Sequence, residues 1–325
     1  MGEIKFDQIL RESGFSQSAI DEVKAGKLHN GGNLDASSEK ELSVKLAFHI
    51  KAAKIDNVKT LFLDSPAKKE YDPTVDSIGM IATDGGDGCL SDFDGLKLSN
   101  SSVMDKLYKK AAPGSDLNLS KVEIAKFKGL KSHEDIETCL KSVLLARFRS
   151  YKKSGLAGMA PYARSKKDFS VSDEVKRMVE AGKLLHKHAP RFQKLLLEYP
   201  NSAPSDMEES FFWVNSTIDE KPTIALVHRM GVPLGEGYVY MERHFYISRS
   251  HNCLQGVGAA VPVEDGIIVM YATRTSTDQV GGFGGSAKRT IGNKIMGGRM
   301  AENFTRAAKV VSSAAAELET LKIKD

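Results

Sequence analysis

The chain has 325 residues, 41% hydrophobic and 27% charged, enough for one large or two ordinary globular domains with a buried core. Its 46 basic and 42 acidic residues leave a formal charge of +4, far short of the dense basic stripe that a nucleic-acid backbone demands, so nucleic acid is disfavoured as a partner. Cys89, Cys139 and Cys253 are too scattered for a disulfide framework or a zinc motif, no apolar run approaches the ~18 residues of a membrane span, and the start MGEIKFDQILRES lacks a secretion signature. The expectation is a cytoplasmic protein as the chain stands, or a periplasmic or secreted one if a leader has been removed.

In chain order, Gln17 to Lys27 predicts a short helix and LHNGGNLDASSEK a loop. In ELSVKLAFHIKA, Leu42, Val44, Leu46, Phe48 and Ile50 alternate with Ser43, Lys45, Ala47, His49 and Lys51, which predicts a strand with one buried face. IDNVKTLFL fits a helix, DSIGMIA and FDGLKL short strands, and LSKVEIAKFKGL a helix opened by Ser120. A capping-box start at Ser132 to Asp135 leads into Ile136, Leu140, Val143, Leu144, Phe148 and Tyr151 at helical spacing, ending at Gly155. Further helices are expected near Ser172 and near Pro190, whose ring suits a first helical turn.

From residue 209 the period changes to two, over ESFFWVNSTI, PTIALVHRM, EGYVYMERHFYISRS, NCLQGVGAAVPV and GIIVMYATRTST. Connections this short predict antiparallel neighbours. One long helix, about Ser286 to Leu321, follows, with Ile291, Ile295, Met300, Phe304, Ala307, Val311, Ala314 and Leu318 on its expected inner face. The fold class expected is α+β, an antiparallel sheet wrapped around a long C-terminal helix, with additional N-terminal and central helices. Three parts are expected: a mixed segment 1–131 that contributes a first strand (40–51) to the main sheet, a helical segment 132–200, and the sheet with its helix, 201–325.

Over about residues 200–321, this meander entering a glycine-interrupted helix through IIVMYATRTSTDQVGGFGGSAKRTIGNKI resembles the helix-grip fold of the START-like superfamily, which includes lipid-transfer and polyketide-cyclase-type proteins. The whole chain is also similar to a family of uncharacterised bacterial proteins in which LAGMAPYAR, RQFY-like segments and TRTSTDQVGGFG recur. The first resemblance implies a cavity between sheet and helix for a lipid-like, apolar or amphipathic small molecule. It implies neither catalysis nor its absence.

Strand parity then selects candidates for that cavity. His228 falls with Ile224, Leu226 and Met230; Arg243 with Val239, Met241, Phe245 and Ile247; Arg274 with Ile268, Met270 and Ala272. A charge on an apolar face needs a partner, either an internal carboxylate such as Glu242, Asp278 or Glu209, or an anionic head group. Trp213 and Tyr246, with Tyr238 and Tyr240, would line an aromatic pocket or pack as ordinary sheet-face rings. The run GGFGGSAKR fails both the Walker pattern, which needs a glycine before the lysine and a Ser or Thr after it, and the Rossmann context, since no second strand follows. It leaves Ser286 as a helix cap and Lys288 or Arg289 as a contact for a ligand's anionic end.

Asp84, Asp87, Asp92 and Asp94 lack the order of an EF-hand loop, His186 and His188 point to different helix faces, and His251 and Cys253 lack an orienting acid. No metal or cofactor is therefore expected. The leading expectation is a carrier for a lipid-like molecule. One alternative is a cyclase, isomerase or hydrolase of the same fold with His228 as base, and another is a non-catalytic macromolecular interaction protein.

Overall fold

A computed structural model describes residues 6–63, 68–98, 101–282 and 284–322, with side chains described as far as 312. Helices α1 (Phe6–Glu12) and α2 (Gln17–Lys24) lead to a two-residue strand β1 (His29–Asn30) and to β2 (Glu41–Lys51). Helices α3 (Ile55–Leu63) and α4 (Lys68–Tyr71) precede β3 (Val75–Ile81). A helical run follows: α5 (Ser101–Lys109), α6 (Lys121–Phe127), α7 (His133–Ser154), α8 (Val171–Glu180), α9 (Lys183–His188) and α10 (Pro190–Glu198). The meander is β4 (Glu208–Ile218), β5 (Lys221–Leu234), β6 (Gly237–Ile247), β7 (Cys253–Val263) and β8 (Gly266–Ser276), and α11 (Gly285–Lys322) closes the chain.

All eight strands form one antiparallel sheet in the order β1-β2-β8-β7-β6-β5-β4-β3. The early strand β2 pairs along its whole length with β8, and α11 packs back along β2. The helical run lies between β3 and β4, which are hydrogen-bonded neighbours, from Ile81 opposite Phe211 to Val75 opposite Ser216. Gly79 faces Trp213 across this pair, and a Cβ there would sit 2.6 Å from the indole, so the glycine makes room for the ring.

Local chemistry explains the boundaries. Ser120 and Glu123 cap α6 reciprocally, the Ser132 hydroxyl accepts from the Asp135 amide to open α7, and Pro190 sits in the first turn of α10. Helix α7 ends at Gly155 with φ 55° and ψ −130°, where a Cβ would lie 1.8 Å from the Tyr199 carbonyl oxygen.

The structure departs from the sequence pattern in β2, in FDGLKL and along α11. The β2 strand is buried on both faces, since Ala47 and His49 are as enclosed as Phe48 and Ile50; the core of α1 and α2 reaches Ala47 on the face opposite α11. FDGLKL is no strand: a 3-10 turn at Leu90–Phe93 runs into its first residue, and the Asp92 carboxylate ties the amides of Ala82 and Cys89. On α11, Ile291 and Ile295 are exposed, whereas Ala307 and Val311 are buried as expected and Met300 and Phe304 face the sheet. The predicted inner-face positions Ala314 and Leu318 lie outside the described side chains.

The sheet is thus covered twice. Helices α5–α8 and α10 pack the largest core onto one face, whereas α3 and α11 pack a second core onto the other.

Candidate functional site

Between the second face and α3, α4 and α11 lies a cavity of about 250 Å³. Its apolar walls include Phe48 and Ile50 of β2, Val269 and Tyr271 of β8, Phe62 of α3, and Met296, Met300 and Phe304 of α11. The rings interlock: Phe62 on Tyr240 at 4.2 Å, Tyr271 on Phe304 at 4.9 Å and Phe48 on Phe304 at 5.2 Å between centroids. Glycines in β7 make this wall possible. A Cβ on Gly258 would lie 2.3 Å from the Tyr240 ring and one on Gly256 1.8 Å from the Tyr271 hydroxyl.

One cross-strand row gives the cavity a polar stretch of wall. Arg229 lies opposite Glu242, Glu242 opposite Gly256, and Gly256 opposite Thr273. Arg229 Nε donates to one Glu242 oxygen at 2.7 Å, and Nη2 lies 2.6 Å from the same oxygen as an ion pair, while the other oxygen lies 3.0 Å from His244 Nε2 and 3.5 Å from Lys68 Nζ. Arg229 is further held by the Phe62 carbonyl, the Tyr71 hydroxyl at 3.1 Å, and the faces of Phe62 and Phe212. Burial by itself would raise the Glu242 pKa, but Arg229, Lys68 and His244 hold it well below the usual carboxylate range. Burial would likewise lower Lys68, and Glu242 overrides it, so the ammonium stays charged.

Among the described residues, three residues that line the cavity each carry a buried polar atom with no hydrogen-bond partner: His244 at Nδ1, His251 at Nε2 and Thr273 at Oγ1. The His244 and His251 rings lie 6.2 Å apart, and burial, helped by His244, pushes the His251 pKa down to about 3, which keeps that ring neutral.

The residues singled out by parity lie elsewhere. His228, Arg243, Arg274, Trp213 and Tyr246 do share one face of the sheet, but it is the face beneath the helical run, and none of them lines the cavity against α11. His228 and Arg243 are fully buried in a closed chain of hydrogen bonds. His228 Nε2 donates to Glu209 at 2.9 Å, the Tyr151 hydroxyl donates to Nδ1 at 3.0 Å, and Arg243 Nη1 donates to the Tyr151 oxygen at 3.2 Å. Arg243 also reaches Gln255 and the Leu196 carbonyl, at 2.7 and 2.9 Å. Burial lowers the His228 pKa against the pull of Glu209, consistent with a neutral ring that has one donor and one acceptor, both satisfied.

Arg274 binds Glu41 and the Asp35 carbonyl, and lines a separate cavity of about 340 Å³ beneath α1, α8 and α9. Trp213 donates to the Asp92 carbonyl at 2.8 Å, and Tyr246 packs its ring 4.3 Å beneath Arg147. Ser286 and Lys288 are exposed in the first turn of α11, about 15 Å along the axis from Met296, where that helix begins to line the cavity. Ser286 does not cap the helix, which has already begun at Gly285.

Parity therefore picked a common face, but not the one that meets α11. The polar set that lines the cavity, Arg229, Glu242 and His244, lies on the alternate positions, where sequence reasoning offered Glu242 only as an ion-pair partner, and its signal is the opposite charges of Arg229 and Glu242, directly across from one another. A bulge between Leu226 and Val227 adds to the error: it places both Phe245 and Tyr246 in the helical core and moves Ile247 to the other face with Val214 and Ala225.

Among the described residues, no group of three or more His, Cys, Asp or Glu side chains is arranged to hold a metal ion, and no helix is long and apolar enough to cross a membrane. No family model matches the chain, and no curated protein matches it.

Proposed function

We propose that the protein binds or carries an apolar or amphipathic small molecule in the cavity between the sheet and the C-terminal helix. The observation that carries this reading is the cavity itself, apolar over most of its wall with a few buried polar groups in its lining, the usual composition of a small-molecule site. The helix-grip arrangement supports it, because START-like proteins, which the sheet order and closing helix resemble, use the same space for lipid-like ligands. Catalysis through His228 finds less support: both ring nitrogens are engaged, and the residue lines neither this cavity nor the one beside Arg274.

The test is native mass spectrometry and solvent extraction of the protein purified from cells, beside Ala307→Leu, which adds bulk to the cavity wall contributed by α11. A co-purifying small molecule should be present in the parent and lost from the folded variant. An occupancy unchanged by Ala307→Leu, or a parent that takes up no apolar probe, would refute the reading.

A further inference from the structure

We infer that the ligand's polar end is an uncharged hydroxyl or carbonyl, recognised by Thr273, His251 and His244, and that the cavity encloses about ten of its non-hydrogen atoms. This rests on the carrier reading above and narrows its ligand class.

Three observations lead to it. A buried polar atom left without a partner is destabilising, and here three such atoms belong to residues that line one cavity, one of them Thr273, which is only 1% exposed. Thr273 can donate and accept, and each histidine has one ring nitrogen left over, since His244 Nε2 meets Glu242 and His251 Nδ1 meets Ser250, so a hydroxyl or carbonyl suits the group.

The charges are already matched. Among the described residues lining the cavity, the Lys and Arg side chains are Lys68 and Arg229: Arg229 is held by Glu242, Tyr71 and the Phe62 carbonyl, and Lys68 by Glu242 and Asp72. An anionic head would face Glu242 and Asp72 with no uncommitted Lys or Arg to receive it, and a cationic head would face Arg229 and Lys68.

Size supplies the third constraint. A dry cavity of ~150 Å³ accommodates benzene, so on that scale about 250 Å³ encloses roughly ten non-hydrogen atoms. A medium chain or fused ring fits, and a whole two-chain lipid does not.

Calorimetric titration with n-octanol, octanoate, octyl phosphate and n-octane, on the parent, Thr273→Val and His251→Phe, tests the inference. Octanol should bind the parent at least about tenfold more tightly than octanoate or octyl phosphate. Thr273→Val, which keeps the shape and removes the hydroxyl, should weaken octanol about threefold to tenfold and leave octane unchanged, with His251→Phe acting in the same direction. Because Thr273→Val removes an unpartnered buried hydroxyl, the empty variant should be at least as resistant to urea as the parent, which separates lost recognition from lost folding. Equal or tighter binding of either anion, or octanol binding indifferent to both substitutions, would overturn the inference while leaving the carrier reading intact. Failure of all four probes to bind the parent would overturn both.

Discussion

Glu242→Gln is the sharpest test of how the polar stretch of the cavity wall is held. The substitution keeps the size of the side chain and removes the charge shared by Arg229, Lys68 and His244, while Arg229 remains only 2% exposed. A guanidinium and a carboxylate about 4 Å apart between charge centres interact by about 4 kcal/mol at an effective dielectric constant near 20. The amide oxygen restores about 1 kcal/mol of hydrogen bonding, so the net loss is about 3 kcal/mol, at the lower end of the range for orphaning a buried charge. That is a large fraction of the ~5–15 kcal/mol by which domains are stable. Equilibrium urea unfolding, followed by emission of the single tryptophan, Trp213, which is 2% exposed, measures it directly. The double variant Arg229→Met with Glu242→Leu should recover part of that loss, since matched apolar groups replace the buried pair at little cost while Lys68 keeps Asp72 as its partner. A single-variant loss below about 1 kcal/mol, or a double variant no better than the single, would refute the account.

The remaining expectations concern the other face and the pH response. Arg243→Met should destabilise the protein by about 2–4 kcal/mol, because Tyr151, Gln255 and the Leu196 carbonyl lose their donor, yet octanol uptake by the folded fraction should be unchanged; a selective loss of uptake would return Arg243 to the ligand site. The pKa values of His228 and His251 are lower when folded than the ordinary 6.5, so the stability they contribute is fully present above that pH and lost as pH falls, for His251 down to about 3. His251→Phe should therefore flatten part of the acid limb of a urea-midpoint against pH plot, and an unaltered limb would contradict the burial of that ring.

The elements were far more legible in the sequence than the faces. Period-two runs placed β4 to β8, and side-chain chemistry at Ser120, Ser132, Gly155 and Pro190 marked helix ends, because these signals are local. The candidate site was not legible for a different reason. Alternation distinguishes a wet face from a dry one, and in β6 both sets, Tyr238–Tyr240–Glu242 and Val239–Met241–Arg243, are buried. Which set meets α11 depends on the helical run covering the opposite face, a tertiary fact with no period. The bulge beside Leu226 is equally silent, since no glycine or proline marks it, and FDGLKL offered strand-like alternation whose path is set by the Asp92 carboxylate.

The pairing of β2 with β8 also has a consequence for biosynthesis. Apart from the two residues of β1, the first long strand finds its partner among the last strand residues, so on the ribosome Glu41 to Lys51 must wait for Gly266 to Ser276 to emerge. Throughout that interval a strand destined to be buried on both sides has an unpaired edge, and the chain between its ends must be drawn together at a late step. Chaperone dependence and aggregation of truncated chains should therefore follow the appearance of β8, while the meander from β4 to β7, built from neighbouring hairpins, can assemble before it.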